Sequence, residues 1–266
     1  MRIITWNINS IRIRLNALQE IINQLNPDII CLQETKFPDD KFPQTEIKDL
    51  GYSYIAINGQ PAYNGVAILS KVKFTSTIKK QFCNQDDCRH IAVLVNDSKR
   101  NIKFKIQNFY VPAGGDEPDP NINQKFAHKL KFLDEMFDYL EDDLSKNDTT
   151  VIVGDMNIAP HVNDVWSHKS LINVVSHTDI ERRKLSKIIN DLKLCDIMRH
   201  NVPDEEKVYS WWSYRNRDWR KSNRGRRLDH IWVTKDLLRC HKSLEIYKAA
   251  RDWERPSDHV PVMIEL

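Results

Sequence analysis

Short apolar runs separated by polar segments recur along the whole chain. They predict β-strands near residues 2–7, 28–34, 64–70, 90–96, 103–110, 150–155, 228–234 and 260–266. Three other segments carry apolar residues at helical spacing and predict helices after Ser10, over about 123–144 and over about 179–194. Many strands with few intervening helices favour an α/β fold in which two sheets pack face to face with helices outside.

Polar side chains stand where several of these strands end. The clearest case is Thr150–Pro160 (TVIVGDMNIAP), in which an apolar run stops at Gly154 and Asp155 and Asn157 follow. Residues i and i+2 of an extended segment point to the same side, and α/β folds place their chemistry beside strand ends. For this segment alone an Asx turn is the alternative, since Asp and Asn are common in turns.

Four of the other predicted strands, near 2–7, 28–34, 228–234 and 260–266, also have polar residues at or beside one end. Four carboxylates, two amides and a histidine occupy these positions, namely Asn7, Glu34, Asp155, Asn157, Asp229, Asp258 and His259. Any one of them is compatible with a cap, a turn or a satisfied core group. If they converge, their like charges require a neutralising cation, and oxygen ligands favour Mg²⁺ or Mn²⁺ over zinc.

Six motifs in order along the chain carry a resemblance to a known family. They are Ile4–Asn9 (ITWNIN), Leu32–Lys36 (LQETK), Asn108–Pro112 (NFYVP), Gly154–Asn157 (GDMN), Arg227–His230 (RLDH) and Ser257–His259 (SDH). With them the sequence resembles the exonuclease III/AP endonuclease family of the endonuclease–exonuclease–phosphatase superfamily, in particular its bacterial branch. The resemblance implies a single catalytic domain over residues 1–266 with a four-layer, DNase I-like α/β sandwich.

The resemblance also implies a Mg²⁺- or Mn²⁺-dependent DNA repair phosphodiesterase. Such an enzyme cuts 5′ of abasic sites, repairs blocked 3′ ends and removes 3′-terminal nucleotides from duplex DNA. Its catalytic residues would be Tyr110, Asp155, Asn157, Asp229, Asp258 and His259. Its metal site would draw on Asn7, Glu34, Asp155, Asn157, Asp258 and His259.

Individual roles follow from the same resemblance. We expect Glu34, with Asn7 beside it, to bind the metal directly. Asp155, aided by Asn157, would orient and deprotonate the attacking water.

His259 would bind a non-bridging oxygen of the phosphate. Asp258 would make the imidazole of His259 cationic or hold it as a hydrogen-bond donor. Tyr110 would contact the phosphate or the leaving group, and Asp229 would lie near the metal or the leaving group.

The distribution of charge indicates a nucleic-acid partner more clearly than the net charge of +3 does. Residues 215–227 contain seven basic side chains against one acidic, with aromatic residues nearby. Basic groups bind phosphates, and rings stack on bases. A solvated basic loop is the alternative, but the segment leads directly into Asp229. The predicted DNA contacts are Trp211, Trp212, Arg215, Arg217, Trp219, Arg220, Lys221, Arg224, Arg226, Arg227 and Leu228.

Two positions depart from the family pattern. Relatives generally line an abasic-sugar pocket with an aromatic residue and two apolar residues, which Trp211 and Leu228 match, but Arg226 occupies the middle position. Its guanidinium could stack on Trp211 or Trp212, or project into a groove and bind phosphate. Ala113 stands where relatives often carry an amide. We therefore expect 3′-end trimming to gain relative to abasic-site cleavage.

Two other function classes stay open at this level: a phosphoinositide or sphingolipid phosphodiesterase of the same superfamily, and a DNA-binding protein without turnover. The sequence shows no lipid anchor or membrane-facing apolar patch, and every catalytic position is filled. No apolar run approaches the roughly 20 residues of a membrane span, and five scattered cysteines do not suggest a disulfide framework. We expect a cytoplasmic monomer without a signal peptide that acts on duplex DNA.

Overall fold

The computed structural model of the protein describes residues 1–98, 100, 102–146, 149–216 and 218–266. Its strands are β1 (Arg2–Asn7), β2 (Ile29–Gln33), β3 (Tyr54–Asn58), β4 (Val66–Ser70), β5 (Phe74–Ile78), β6 (His90–Asp97), β7 (Ile102–Tyr110), β8 (Thr150–Asp155), β9 (Cys195–Asp196), β10 (Trp211–Trp212), β11 (Gly225–Arg226), β12 (Asp229–Val233), β13 (Ser243–Ile246) and β14 (Val262–Glu265). Its α-helices are α1 (Leu15–Leu25), α2 (Gln44–Asp49), α3 (Gln124–Ser145), α4 (His168–Leu171), α5 (Asp179–Asp191), α6 (Ile197–Asn201), α7 (Trp219–Ser222) and α8 (Lys235–Leu238). Short 3₁₀ helices cover Asp39–Lys41 and Lys248–Asp252.

Within these described residues, the long strands form two six-stranded mixed sheets. The first has the order β13-β14-β1-β2-β4-β3, and the second has the order β5-β6-β7-β8-β12-β9. Each sheet contains one parallel pair, β1 with β2 and β7 with β8, and its other neighbouring strands are antiparallel. The α/β fold with two mixed sheets is thereby confirmed.

The two sheets pack face to face, and helices cover their outer faces. Ile3 of β1 belongs to the apolar cluster between the sheets, together with Ile106 of β7 and Val153 of β8. The next residue, Ile4, points to the opposite face and packs in a cluster with residues of α1, as alternation along a strand requires. On the far side, Ile152 packs in a cluster with residues of α3 and α5.

One edge of this sandwich collects the ends of strands from both sheets. The parallel strands β1 and β2 end at Asn7 and Gln33, and the parallel strands β7 and β8 end at Tyr110 and Asp155. Because β12 is antiparallel to β8, its first residue, Asp229, lies directly opposite Asp155. The fold therefore brings residues that are distant in sequence to one place.

Gly154 allows β7 and β8 to approach closely at this edge. Its φ is +146°, and a Cβ at this position would lie 1.9 Å from the carbonyl oxygen of Phe109. A side chain would force the two strands apart. Glycine therefore keeps Asp155 next to Tyr110 across the sheet.

Among the described residues, no helix combines the length and the apolar character that crossing a membrane requires.

Candidate active site

Asp155, the last residue of β8, lies at the centre of a buried polar cluster. Its Oδ1 accepts a hydrogen bond from the backbone nitrogen of Asn157 at 2.9 Å. Its Oδ2 accepts from Nδ2 of Asn7 at 2.9 Å and from Nδ2 of Asn157 at 3.2 Å. The same oxygen lies 3.7 Å from Nε2 of His259. Burial and the charge of Asp229 raise the pKa of Asp155 to about 7 against the opposing charge of His259.

Glu34 adds a second carboxylate from the residue after β2. Its Oε1 accepts hydrogen bonds from Nδ2 of Asn7 at 2.9 Å and from the hydroxyl of Tyr110 at 2.8 Å. Its Oε2 lies 2.8 Å from Nζ of Lys36. Burial raises the pKa of Glu34, but Lys36 and these hydrogen bonds outweigh burial and lower the pKa below its usual value. The amide of Asn7 thus connects the carboxylates of Glu34 and Asp155.

His259 forms a buried pair with Asp229. Nδ1 of His259 lies 2.8 Å from Oδ2 of Asp229. Burial lowers the pKa of His259, but the charges of Asp229 and Asp155 overcome this effect and raise it to about 10. The imidazole is therefore a cation at neutral pH. The hydroxyl of Ser257 accepts from the backbone nitrogen of His259 at 3.2 Å and donates to the carbonyl of Asn7 at 2.7 Å, which ties this loop to β1.

The structure corrects the prediction that Asp258 holds His259 as a donor. The carboxylate of Asp258 accepts instead from Nε1 of Trp211 at 2.9 Å and from Nδ2 of Asn9 at 3.1 Å. Asp258 still contributes to the raised pKa of His259 through its charge, after the larger contributions of Asp229 and Asp155. Neighbouring side chains of an extended segment point to opposite sides, which separates Asp258 from the imidazole.

A divalent cation fits this cluster. One polar atom each of Asp155, Asp229 and His259 lie within 4.8 Å of one another. A protonated His259 has no free lone pair, so the carboxylates of Asp155 and Asp229 are the candidate ligands of this group. In the described part of the chain, Oδ1 of Asp229 is buried and has no hydrogen-bond partner. Glu34, which accepts a hydrogen bond from Asn7, offers further carboxylate oxygens to a cation at this place. Carboxylate oxygens suit a hard cation.

The side chains of Asn7, Asn157 and Asp258 make contacts other than those that a metal ligand would make. Asn7 directs its nitrogen at the carboxylates, and its Oδ1 accepts from the backbone nitrogen of Asn9 at 3.1 Å. Nδ2 of Asn157 is shared between Asp155 and the carbonyl of Val111. Metal ligation stays a prediction for the whole set, which is Asn7, Glu34, Asp155, Asn157, Asp258 and His259.

The basic segment exposes only some of its predicted DNA-binding side chains. Arg215, Lys221 and Arg224 are exposed at the surface. Arg217 lies outside the described residues.

Asp252 engages two further members of this segment. Arg220 forms an ion pair with Asp252, and Nε1 of Trp219 donates to Asp252 at 2.9 Å. Because Asp252 already neutralises Arg220, the exposed Arg215 and Arg224 are better placed to bind phosphate.

Two predicted DNA contacts are corrected, because Trp212 and Arg227 are completely buried. Nη2 of Arg227 lies 2.9 Å from Oδ2 of Asp164, and its Nη1 lies 2.8 Å from Oδ2 of Asp196. Trp212 packs in a cluster with Tyr209. Both side chains hold the fold together beneath the surface and cannot reach a phosphate in this conformation.

A cleft of about 510 Å³ lies between the basic segment and the loop after β7. The guanidinium carbon of Arg226 lies 5.4 Å from the centroid of the Trp211 ring, which is the stacking arrangement considered from the sequence. Nη1 of Arg226 donates to Oγ of Ser176 at 2.6 Å and to the carbonyl of Val175 at 3.1 Å. Leu228 is buried and packs in a cluster with Trp211.

Two residues of the site were not predicted. Lys36, which forms the ion pair with Glu34, belongs to the LQETK motif and could have been chosen from it. The buried hydroxyl of Ser210 accepts from the backbone nitrogen of Asp229 at 3.1 Å and so fixes the start of β12. Nothing in the sequence around Ser210 marks this role.

Comparisons with known proteins agree with this arrangement. The Endonuclease/Exonuclease/phosphatase family matches residues 4–259. Exodeoxyribonuclease III of Haemophilus influenzae is 30% identical over 275 residues, which cover 100% of this chain and 99% of that protein.

Solved structures give the same result. A 3′ phosphatase from Neisseria bound to a product DNA hairpin has a TM-score of 0.90 and 30% identity, covering 100% of this chain and 99% of that one. An AP endonuclease from Archaeoglobus fulgidus has a TM-score of 0.88 and 30% identity, covering 99% and 98%. The chain therefore belongs to the endonuclease/exonuclease/phosphatase family, in the branch that contains exodeoxyribonuclease III and the AP endonucleases.

Proposed function

We propose that the protein is a single-domain phosphodiesterase that hydrolyses duplex DNA at abasic sites and at 3′ ends with Mg²⁺ or Mn²⁺. One observation carries this proposal: Oδ2 of Asp155 lies 3.7 Å from Nε2 of His259, whose Nδ1 lies 2.8 Å from Oδ2 of Asp229. A buried carboxylate beside a buried cationic donor can accept a proton from water and stabilise negative charge on phosphate within one small volume.

Asp155 is the proposed acceptor of the proton from the attacking water. In the metal-free protein its pKa is raised to about 7 by burial, so it is a stronger base than an exposed carboxylate. The backbone of Asn157 and the amide of Asn7 fix its orientation through the hydrogen bonds described above. This restraint fixes the direction from which the carboxylate accepts the proton of the attacking water.

His259 is the proposed donor to a non-bridging phosphate oxygen. Its Nδ1 is occupied by Asp229, and its Nε2 points toward Asp155. A donor that already carries positive charge stabilises the charge that develops on the phosphate. Asp229 therefore orients the imidazole and keeps it protonated.

Tyr110 completes the proposed set of donors. Burial, together with the charges of Glu34 and Asp155, raises the pKa of its hydroxyl well above the usual value, so the phenol stays neutral. It can therefore donate to the phosphate or to the leaving oxygen. Oxygens of Glu34, Asp155 and Asp229 would hold the cation, which would neutralise phosphate charge and stabilise the leaving group.

DNA binding is supported by the cleft next to these residues. Exposed Arg215 and Arg224 line it together with Trp211 and Arg226. A cleft of this kind suits a nucleotide or a baseless sugar adjoining the scissile phosphate. The Neisseria relative of known structure is a 3′ phosphatase with a DNA hairpin bound.

Turnover of several substrates by one preparation tests the proposal. Duplexes with an abasic site, a 3′-phosphate or an undamaged recessed 3′ end are incubated with Mg²⁺, Mn²⁺ or EDTA, next to a phosphoinositide and sphingomyelin. We expect metal-dependent cleavage of the DNA substrates and no hydrolysis of the lipids. In Asp155→Asn the rate of DNA cleavage should fall by at least about 100-fold, while duplex binding is retained. Hydrolysis of the lipids alone would favour the lipid phosphodiesterase, and DNA binding without cleavage would favour a non-catalytic protein.

Monomeric state and cytoplasmic location belong to the same proposal. Light scattering during size-exclusion chromatography, with and without duplex, tests the first, and cell fractionation tests the second. A stable dimer or a membrane-bound pool would contradict them.

A further inference from the structure

A buried ion pair beneath the active site has no part in the mechanism described so far. Lys129 of α3 and Glu181 of α5 both have completely buried side chains, and Nζ of Lys129 lies 2.5 Å from Oε1 of Glu181. Nζ also donates to the carbonyl of Asn157 at 2.8 Å and to the carbonyl of Ala113 at 3.2 Å. One ammonium group thus joins the loops that follow β7 and β8.

On one side, the pair reaches the proposed general base. Asn157 adopts a left-handed backbone conformation with φ of 52°, which is uncommon for a residue with a side chain. Its nitrogen and its amide both donate to Asp155. Because Lys129 holds the carbonyl of Asn157, it restrains the peptide on which the orientation of Asp155 depends.

On the other side, the pair reaches the wall of the cleft. The carboxylate of Glu181 accepts from the backbone nitrogen of Ser176 at 3.0 Å and from the backbone nitrogen of Thr178 at 3.1 Å. Ser176 also has a positive φ, of 83°. Its hydroxyl accepts from Nη1 of Arg226, the residue that stacks on Trp211. A continuous chain of polar contacts therefore runs from Lys129 to the cleft.

Stability alone does not account for such a pair. Desolvating two charges costs several kcal/mol, and apolar residues of similar volume often give equal or greater stability. Apolar residues could not bind the carbonyls of Asn157 and Ala113 or the nitrogens of Ser176 and Thr178. What the ion pair supplies is the fixed direction of these four backbone groups.

We infer that Lys129 and Glu181 are positioning residues, which hold the general base through Asn157 and the cleft wall through Ser176. This role rests on the proposed function. Among the described residues, neither side chain is hydrogen-bonded to Asp155, Asp229 or His259. Lys129 also interacts with Asp155 through its charge, and its contact with the peptide of Asn157 is the part assigned here to positioning.

The double variant Lys129→Met/Glu181→Gln tests the inference. It removes both charges together, so no unpaired charge stays buried, and Gln keeps an acceptor for Ser176. The control Lys105→Met/Asp143→Asn removes another buried ion pair, whose atoms lie 2.7 Å apart and which joins β7 to α3. We expect kcat on a recessed 3′ end to fall by about 10-fold or more in the first variant. The control should keep the wild-type kcat even where urea unfolding shows a similar loss of stability.

A double-mutant cycle with Asn157→Ala separates positioning from stability. Asn157→Ala removes the side-chain amide that donates to Asp155 and keeps the backbone carbonyl that Lys129 binds. If Lys129 orients Asp155 through Asn157, the two changes should be less than additive, and the ion-pair change should lower kcat less in the Asn157→Ala background than in the wild type. Additive effects on kcat, or equal losses in both ion-pair variants, would overturn the inference. Lys129→Leu/Glu181→Gln, which also removes both charges together, replaces the double variant in this cycle if the latter does not fold. A wild-type protein inactive on every DNA substrate would instead contradict the proposed function and the inference with it.

Discussion

Nδ1 of His259 lies 2.8 Å from Oδ2 of Asp229, a residue 30 positions earlier in the chain. Its neighbour Asp258 binds Trp211 and Asn9 instead. The active-site imidazole is thus oriented from β12, which also pairs with the strand that carries Asp155. One strand thereby sets the spacing between the proposed base and the proposed cationic donor.

Replacing each of the two acidic neighbours of His259 should have different consequences. Asp229→Asn removes the negative charge beside Nδ1, so we expect a lower His259 pKa and a loss of kcat on the order of 100-fold. Asp258→Asn keeps one of the two acceptor oxygens that bind Trp211 and Asn9 and removes a charge with a smaller effect on His259, so it should change both quantities much less. NMR titration of the imidazole and single-turnover cleavage measure these effects. Equal losses in the two variants would contradict the assignment of Asp229.

The protonation of His259 should make stability depend on pH. Its pKa in the folded protein is raised to about 10 from an ordinary value of 6.5. A raised pKa stabilises the fold fully below about pH 6.5, and this contribution is lost as pH rises through about 10. Urea unfolding in EDTA should therefore show a larger decline between these pH values for the wild type than for His259→Gln. The exposed His200, changed to Gln, is the matched control, and parallel profiles for the wild type and His259→Gln would refute the prediction.

The sequence predicted the strands that are buried on both faces and overlooked those at the sheet edges. Each predicted strand agrees with an observed one to within two residues, because continuous apolar runs mark strands between two covered faces. Strands β3, β5 and β13 were not predicted, and neither were the two-residue strands β9, β10 and β11. Most side chains of β5 are exposed, and those of β13 alternate between exposed and half-buried positions, so their sequences resemble loops.

The site residues were predictable as a group, whereas their pairings were not. Asn7, Glu34, Asp155 and His259 converge because strand ends meet at one edge, which the chain order already suggests. Which acid contacts His259 depends on a strand pairing that no local pattern reveals. For the same reason Arg227 was misjudged as a DNA contact, since its partners Asp164 and Asp196 are 63 and 31 residues away.

Metal binding should depend on Glu34. Glu34→Gln keeps the shape of the side chain and removes its charge, so Mg²⁺ affinity should fall by about 10- to 100-fold, with a matching loss of cleavage. Isothermal titration with Mg²⁺ and cleavage at saturating DNA measure both. Glu265, at the far end of the sheet, provides the control Glu265→Gln, which should behave as the wild type. Full activity of Glu34→Gln in EDTA would rule out this role.

Duplex affinity should fall steeply with salt through the exposed basic residues of the segment before β12. Each phosphate contact contributes about 0.9 to the slope of log affinity against log salt concentration. Neutralising Arg215, Lys221 and Arg224 together should therefore flatten the slope by up to about 3. Fluorescence anisotropy of a labelled duplex at several salt concentrations gives the slope.

Three cations past the opposite end of β12 serve as the matched control for this experiment. Neutralising Lys235, Arg239 and Lys242 should leave the slope unchanged, because β12 separates them from Asp229. An unchanged slope in the first triple variant would mean that the segment is a solvated loop and that DNA binds elsewhere.

Arg226 should set the balance between damaged and undamaged substrates. Its guanidinium stacks on Trp211 and gives the cleft a positive, flat wall where we expected an apolar residue from the family resemblance. A nucleobase or a charged group binds more tightly against such a wall, whereas a baseless sugar binds more tightly against an apolar wall. Arg226→Leu should therefore shift the ratio of kcat/KM toward an abasic duplex and away from a recessed 3′ end by about fivefold, since a cation–π contact is worth about 1 kcal/mol. Arg224→Leu, which changes a second arginine of the same cleft, should weaken both reactions alike. If the ratio stays constant in Arg226→Leu as well, the substrate does not contact this wall, and selectivity must arise elsewhere in the site.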